Sequence, residues 1–207
     1  MDLSTPLAVV TPTLDAAVLH AVAATTARTS GAQVHRMAAA GSPDGVRRVL
    51  ARLVAQGIVL AEEHPSATFY KLNREHVAAE AIVALTRVRT TIIERITDAL
   101  SVWSPAPVHA SLFGSFARAE ATSTSDIDIL VVTDLAGSTD PDARATQVDQ
   151  LAADILRWTG NHGHVVDTTP EALARMIADD DPLVVSWRVD HVNLTGTRLL
   201  DLLRSLS

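Results

Sequence analysis

The stretch FGSFARAEATSTSDIDILVV, from Phe113 to Val132, decides how the C-terminal half of this chain should fold. It contains two aspartates, Asp126 and Asp128, with one residue between them. Side chains alternate along a strand with a period of two, so both carboxylates should point to the same face. Like charges that close repel each other unless a cation lies between them. Because Mg²⁺ prefers carboxylate, water and phosphate oxygens, the pair predicts a magnesium site.

Upstream of this pair, Gly114 and Ser115 follow an apolar run over 108–113. This order predicts a strand, a tight turn and a short helix over 115–120. A Gly-Ser turn at a helix N-terminus offers backbone N–H groups and a hydroxyl to a phosphate. A phosphate cradle followed by a metal-binding Asp-x-Asp is the chemistry of nucleotidyl transfer. The competing interpretation is an acidic strand end after an ordinary turn.

The stretch resembles the signature of the DNA polymerase beta-type nucleotidyltransferase superfamily, and most closely its minimal nucleotidyltransferases. Those domains typically carry Gly-Ser, an Ala-Arg-Gly step, Ser-Asp-x-Asp and then apolar residues. The matching positions are Gly114, Ser115, Ala117, Arg118, Ser125, Asp126, Asp128 and the run 129–132. Position 119 departs from the pattern, since it is Ala where the family usually has Gly. A looser resemblance extends over residues 105–207.

The resemblance implies that three carboxylates, Asp126, Asp128 and Asp167, are both catalytic and metal-binding. The first two would hold the ion that binds the triphosphate, and Asp167 would complete a second ion site beside the acceptor hydroxyl. The implied cofactor is two Mg²⁺ ions, with Mn²⁺ as an alternative. Asp167 could instead cap the next helix. For His162 and His164, which flank the third predicted strand, a metal role competes with a place on an exposed strand edge.

The resemblance also implies that Gly114, Ser115 and Arg118 bind the nucleoside triphosphate. Ser115 should hydrogen-bond the β- or γ-phosphate, helped by the backbone of the turn. Arg118 either neutralises phosphate charge or forms an ion pair with Glu120 or Asp126.

The composition of the 207-residue chain sets limits on its class. Apolar residues make up 47% of the chain, which is enough for packed cores, and aromatic residues only 3%. The absence of cysteine excludes a disulfide framework and a cysteine-based metal site. The N-terminus lacks the basic region of a signal peptide, and no apolar run reaches the length of a membrane span. We therefore expect a cytoplasmic protein without a membrane partner.

The net charge of −7 is unevenly spread along the chain. Residues 1–75 carry seven basic and six acidic residues, whereas residues 104–207 carry seven arginines and fifteen acidic residues. The acidic half contains the Asp-x-Asp pair. It therefore fits a metal site better than a nucleic-acid surface.

The first 75 residues resemble a winged helix-turn-helix domain by pattern. Apolar periodicity and turn residues predict helices over 13–26, 31–39 and 43–56 and strands over 58–60 and 68–72. Ser42 should cap the third helix, with Pro43 at its first position and Gly57 just after its end.

That third helix should expose Arg47, Arg48 and Arg52, and arginine is the usual reader of guanine edges and phosphates in DNA. We therefore interpret these three residues as candidate DNA-binding residues and duplex DNA as a candidate partner. The competing interpretations are a solvated helix face and a wing that serves protein contact or dimerisation.

The rest of the chain predicts an α/β (α+β) nucleotidyltransferase domain, with a mixed sheet flanked by helices, behind a long linking helix. An unbroken apolar stripe predicts one helix over 75–101, which could pair two chains as a homodimer or pack on its own domain. The following pattern predicts strands over 108–113, 127–132 and 164–167, helices over 141–159, 170–178 and 196–205, and a loop over 133–142. The predicted domains are 1–75, 76–104 for the linking or dimerisation helix, and 105–207.

Three functions are compatible with the sequence. The first is an enzyme that moves a nucleoside monophosphate from a triphosphate to a hydroxyl acceptor. The second is a transcriptional regulator whose nucleotidyltransferase-like domain only senses nucleotide. The third is an antitoxin-like protein that acts beside a small protein partner, as the resemblance to minimal nucleotidyltransferases implies.

Overall fold

The computed structural model describes residues 1–135 and 141–207, so part of the predicted loop over 133–142 lies outside the described residues. The chain divides into two compact units, residues 4–89 with Asp2 and residues 90–207 with Met1 and Leu3. The division between Arg89 and Thr90 falls inside the segment 76–104 that the sequence predicts as a linking helix.

In the unit of residues 4–89, a 3₁₀ turn precedes helices that alternate with a small antiparallel sheet. The order is α1 (Leu14–Ala23), β1 (Thr29–Ser30), α2 (Gly31–Ala38), α3 (Pro43–Ala55), β2 (Val59–His64), β3 (Ala67–Leu72) and α4 (Ala79–Thr86). The strands lie in the order β1-β3-β2, both pairs being antiparallel. The two-residue strand β1 escaped sequence prediction because it is too short to show alternation.

Short polar side chains determine where α2 and α3 begin. The Ser30 hydroxyl oxygen accepts a hydrogen bond from the Gln33 backbone N–H, and the Gln33 side-chain oxygen accepts one from the Ser30 backbone N–H, which completes a capping box. As predicted, the Ser42 side chain caps α3, and Gly57 follows α3 with a φ of +75°. These caps fix the starts of the two helices, which a short segment over 39–42 connects.

The core of this unit consists of the apolar stripes of its helices. Val46, Leu50 and Leu53 of α3 are buried in one cluster with residues of α1, α2 and α4, such as Val22 and Ile82. The opposite face of α3, which carries the three arginines, remains exposed.

The single helix predicted over 75–101 is wrong, because the structure has two helices, α4 and α5 (Val88–Ser101). The Thr86 hydroxyl donates to the Val83 carbonyl, and the Arg87 N–H closes a short turn onto Ala84, so the regular hydrogen-bond ladder stops there. Upstream, residues 73–78 form turns rather than helix. The apolar stripe survives the break, which explains why periodicity alone missed it.

The unit of residues 90–207 contains the mixed sheet that the sequence predicts. After α5 come β4 (His109–Phe113), α6 (Gly114–Ala117), β5 (Ile127–Val132), α7 (Pro141–Thr159), β6 (Gly163–Thr168), α8 (Pro170–Ala178), α9 (Pro182–Val189), β7 (His191–Gly196) and α10 (Leu199–Ser205). The strands lie in the order β6-β5-β4-β7, with β5 and β6 parallel and the other pairs antiparallel.

The two faces of this sheet pack against different helices. Phe113, Leu130 and Val132 share one face and pack with Leu173 of α8 and Trp187 of α9. Gly163 lies on the other face, where a side chain added to it would meet Ile155 and Ala152 of α7. Because side chains alternate, this division assigns a face to every residue of β5 and β6.

Sequence prediction missed α9 and β7 and began the last helix at 196 rather than 199. The Asp181 side chain caps α9 by accepting from the Leu183 N–H, ahead of a proline at the first helical position. Because α9 has only eight residues and β7 is an edge strand, neither leaves a long periodic pattern in the sequence. Across the part of the chain that is described, no helix is both long and apolar enough to cross a membrane.

Gly196→Ala should destabilise the fold strongly, because Gly196 has a φ of +75° and an added Cβ would lie 2.1 Å from the Val108 carbonyl oxygen. Gly160→Ala is the matched control, since its φ is +73° but an added Cβ would have its nearest neighbour at 4.0 Å. In urea denaturation, we expect the control to lose about 1 kcal/mol of unfolding free energy and Gly196→Ala at least about twice that. Equal losses would contradict the steric role of Val108.

Candidate active site

The candidate site begins at the turn where β4 ends. Phe113 closes the strand, and Gly114 follows with a φ of +68°, in the left-handed region that favours glycine. A Cβ added to Gly114 would lie 2.7 Å from Oδ2 of Asp128. Glycine is therefore required here both by the backbone conformation and by the close approach of a carboxylate.

Strand pairing brings this carboxylate to the turn. Asp128 lies opposite Phe113 in the antiparallel register of β4 and β5, so Gly114 meets the Asp128 side chain directly. The Asp128 side chain is 25% exposed, and Asp126, just before β5, is exposed. The structure thus places the Gly-Ser turn and the Asp-x-Asp pair at one end of the same strand pair.

On the other side of β5, Asp128 contacts a histidine. Asp128 and His164 are register partners in the parallel pair β5–β6, so their side chains share a face. The His164 Nδ1 atom lies 3.1 Å from the Asp128 Oδ1 atom, and the His164 side chain is 64% exposed. A charge-assisted contact of this kind is available only because the two strands are parallel and in this register.

Asp167 lies on the opposite face of the sheet from Asp128. It pairs with Val131, three residues beyond the Asp128–His164 pair. Because side chains alternate between the two faces of a strand, the Asp167 side chain points toward α7. The predicted three-carboxylate site requires Asp167 to lie beside Asp126 and Asp128. The structure instead places Asp167 on the opposite face of the sheet from Asp128.

Asp167 is instead held by a buried arginine. The Nε atom of Arg144 donates to both Asp167 carboxylate oxygens at 3.0 and 3.1 Å, and its Nη2 contacts Asp167 and the Thr133 hydroxyl. The guanidinium of Arg144, whose side chain is 7% exposed, stacks 4.4 Å from the ring centroid of Trp103. The cap of α8 is Thr169, so Asp167 is not the helix cap of the competing interpretation either.

Ser115 and Arg118 lie on the helical turn that follows Gly114. The Ser115 carbonyl accepts from the Glu120 N–H, which curls the chain back after α6. Arg118 donates to Glu120 at 2.8 Å and to Asp190 at 2.7 Å, and these hydrogen bonds raise the pKa of its guanidinium. An ion pair with Glu120 was one of the two predicted alternatives, whereas Asp190 was not anticipated because it follows α9, which the sequence prediction missed.

Ala119, the position that departs from the family pattern, has a φ of +61°. An L residue in this conformation costs about 1–2 kcal/mol, which gives a physical reason for glycine at the corresponding position of the resembled domains. The loop keeps the conformation expected of glycine although the residue is alanine.

A second polar cluster lies inside β4. His109 and Ser111 are buried, with the His109 Nε2 atom 2.9 Å from the Ser111 hydroxyl and its Nδ1 atom 2.7 Å from the Thr197 carbonyl oxygen. Burial lowers the pKa of His109, against the effect of the Thr197 carbonyl. The ring is therefore favoured in its neutral form, where it ties β4 to the segment after β7.

A match to a family model supports a nucleotidyltransferase enzyme. Residues 93–190 match the family model described as nucleotidyltransferase domain. Among solved structures, the chain is similar to a toxin-antitoxin crystallised with AMP-PNP, with 23% identity and a TM-score of 0.37 over 57% of this chain and 82% of the other. It is also similar to a mutant of the toxin-antitoxin MntA-HpeT, with 22% identity and a TM-score of 0.35 over 55% and 80% of the two chains. No curated protein matches the chain.

Asp167→Asn should act mainly on stability, because it removes the charge that pairs with the buried Arg144. Loss of one partner of a fully buried pair costs about 3–5 kcal/mol, and we expect about 1–3 kcal/mol here because Asp167 is partly exposed. Asp128→Asn should cost less than Asp167→Asn in the same urea denaturation series. The reverse order would contradict the structural role of Asp167.

Proposed function

We propose that the chain transfers a nucleoside monophosphate from a nucleoside triphosphate to a hydroxyl acceptor with the help of Mg²⁺. The observation that carries the proposal is the contact between the Gly114 turn and the Asp128 carboxylate, within the segment that matches the nucleotidyltransferase domain. A backbone turn that can accept phosphate and a carboxylate that can hold its counter-ion lie side by side there.

The donor set fits a hard divalent ion. Asp126 and Asp128 offer oxygens from one side of β5, and exposure at Asp126 leaves room for water ligands, which Mg²⁺ keeps when it binds proteins. Among residues 1–135 and 141–207, no three His, Cys, Asp or Glu side chains are already gathered at metal-binding distances. Binding must therefore draw Asp126 toward Asp128. When bound, the ion would neutralise triphosphate charge.

The residues of the turn would position the triphosphate. Gly114 lets the backbone come close to the phosphates, and the Ser115 hydroxyl would donate to a β- or γ-phosphate oxygen. Arg118 would reach a phosphate only by exchanging Glu120 or Asp190 for it, so we assign it a secondary role. The oxygen of the acceptor hydroxyl would then bond to the α-phosphorus while the hydroxyl proton passes to solvent, the bond from that phosphorus to the bridging oxygen would break, and pyrophosphate would leave.

Asp126→Asn and Asp128→Asn should each abolish nucleotide transfer while the fold survives, because each removes a charge that the ion requires. The measurement is transfer of label from each of the four α-labelled nucleoside triphosphates with Mg²⁺, with cell lysate as the source of acceptor. Asp149→Asn, an exposed charge on α7, is the matched control. Full activity in both site variants would exclude this site as the catalytic one.

A second function, DNA binding, is favoured by the unit of residues 4–89. The order of α1, β1, α2, α3, β2 and β3 supports a winged helix-turn-helix in which α3 is the recognition helix. The exposed face of α3 carries Arg47, whose side chain is 75% exposed and pairs with Asp44, and Arg48. Arg52 is instead paired with Asp15 of α1. We therefore assign DNA contact chiefly to Arg47 and Arg48.

Fewer observations support the other two predicted partners, a second copy of the chain and a small protein. The homodimer was inferred from one long helix, and the structure replaces that helix with α4 and α5. A small protein partner depends on the resemblance to minimal nucleotidyltransferases. Both stay predictions.

Replacing both Arg47 and Arg48 with alanine should weaken binding of the full chain to a duplex from upstream of its own coding region. Each lost phosphate contact lowers the slope of log affinity against log salt by about 0.9. The double variant should therefore change that slope by up to roughly 1.8. A double Arg157→Ala, Arg188→Ala variant removes the same charge from the other unit and is the control. The two double variants would behave alike if DNA binding does not involve α3.

A further inference from the structure

The side chains that share the face of Asp128 on the neighbouring strand are those of His164, Val166 and Thr168. They alternate with Gly163, Val165 and Asp167, which face α7. Val166 has no donor atom, and Thr168 pairs with Val132, four residues beyond Asp128 along β5. The candidate site therefore has a histidine where the sequence analysis expected a third carboxylate.

We propose that the Nδ1 atom of His164 is the third protein ligand of the ion held by Asp126 and Asp128. This inference deepens the proposed function and rests on it. Imidazole nitrogen is a common ligand of divalent transition ions, a series in which Mn²⁺ binds most weakly, whereas Mg²⁺ prefers oxygen. A site of two carboxylates and one imidazole should therefore favour a transition ion such as Mn²⁺ over Mg²⁺.

The separation of the two donor atoms fits a shared ion. At metal–ligand bonds of about 2.1 Å, two adjacent ligands of an octahedral ion stand about 3.0 Å apart. The His164 Nδ1 and Asp128 Oδ1 atoms are 3.1 Å apart. The pair can thus bind one ion with little movement, and the exposure of His164 leaves that ion open to water and nucleotide.

Asp167 cannot take this role without a large rearrangement. Its carboxylate would have to leave the bidentate contact with Arg144 and pass to the other face of the sheet. That move would leave the Arg144 charge buried and unpaired, which is a costly state.

The test is direct detection of ¹⁴N beside Mn²⁺ bound to the full chain, by electron spin-echo envelope modulation. The wild type should show coupling to an imidazole nitrogen, and His164→Ala should lose it. In the same variant, Mn²⁺ affinity should fall by at least about tenfold, since loss of even an outer-shell partner of a metal ligand costs about that much, while Mg²⁺ affinity should change less than about twofold. His162→Ala, an exposed histidine just before β6, is the matched control and should keep the wild-type signal.

The outcomes separate this inference from the proposed function. If Mn²⁺ binding is lost in Asp128→Asn but His164→Ala keeps both the ¹⁴N coupling and the affinity, the histidine role is overturned and the nucleotidyltransferase site stands. If the wild type binds Mn²⁺ without any ¹⁴N coupling, the role is likewise overturned. If neither Mn²⁺ nor Mg²⁺ binds the wild type, in the presence or absence of nucleotide, the metal part of the proposed function fails as well.

Discussion

The close approach of the Gly114 backbone to the Asp128 carboxylate is the constraint on which the candidate site depends. It requires a left-handed residue without a Cβ, and it requires Phe113 and Asp128 to be register partners. A slip of one residue between β4 and β5 would turn Asp128 to the other face and bury the charge against α7. Because the other residues of β5 are apolar and buried on both faces, the cost of burying that charge is what opposes such a slip.

The alternation of side chains also separates Asp167 from the Asp126 and Asp128 pair, although the sequence predicts one metal site for all three. Residue type and distance along the chain made Asp167 a plausible third ligand. Its face depends on the register of β5 with β6, which no local pattern contains. Because the register pairs Asp128 with His164, Asp167 falls on the α7 side, where Arg144 neutralises it. Gly163 packs under Ile155 of α7, and Asp167 shares the face of Gly163 because side chains alternate. Knowledge of that one contact would have placed Asp167 on the α7 side of the sheet.

Much of the fold was predictable where a local signal was strong. The bounds of β5, α7 and α8 agree with the prediction, because β5 is apolar apart from Asp128 and the two helices combine long periodicity with proline at their starts. The break at Arg87 was not predictable, since the apolar stripe continues through it. The edge strand β7 was missed because it lacks a continuous apolar run. Its absence from the prediction also hid Asp190, the unexpected partner of Arg118.

The central claim is that Asp126 and Asp128, next to the Gly114 turn, hold the ion that accompanies a nucleoside triphosphate. The most direct test is a crystal structure of the chain with Mn²⁺ and a non-hydrolysable triphosphate, with anomalous diffraction recorded at the manganese edge. The account predicts an anomalous peak in contact with both carboxylates and a phosphate oxygen, with the phosphates against residues 114 and 115. A manganese peak at Asp167 or on the α7 face of the sheet, with none at Asp126 and Asp128, would contradict it.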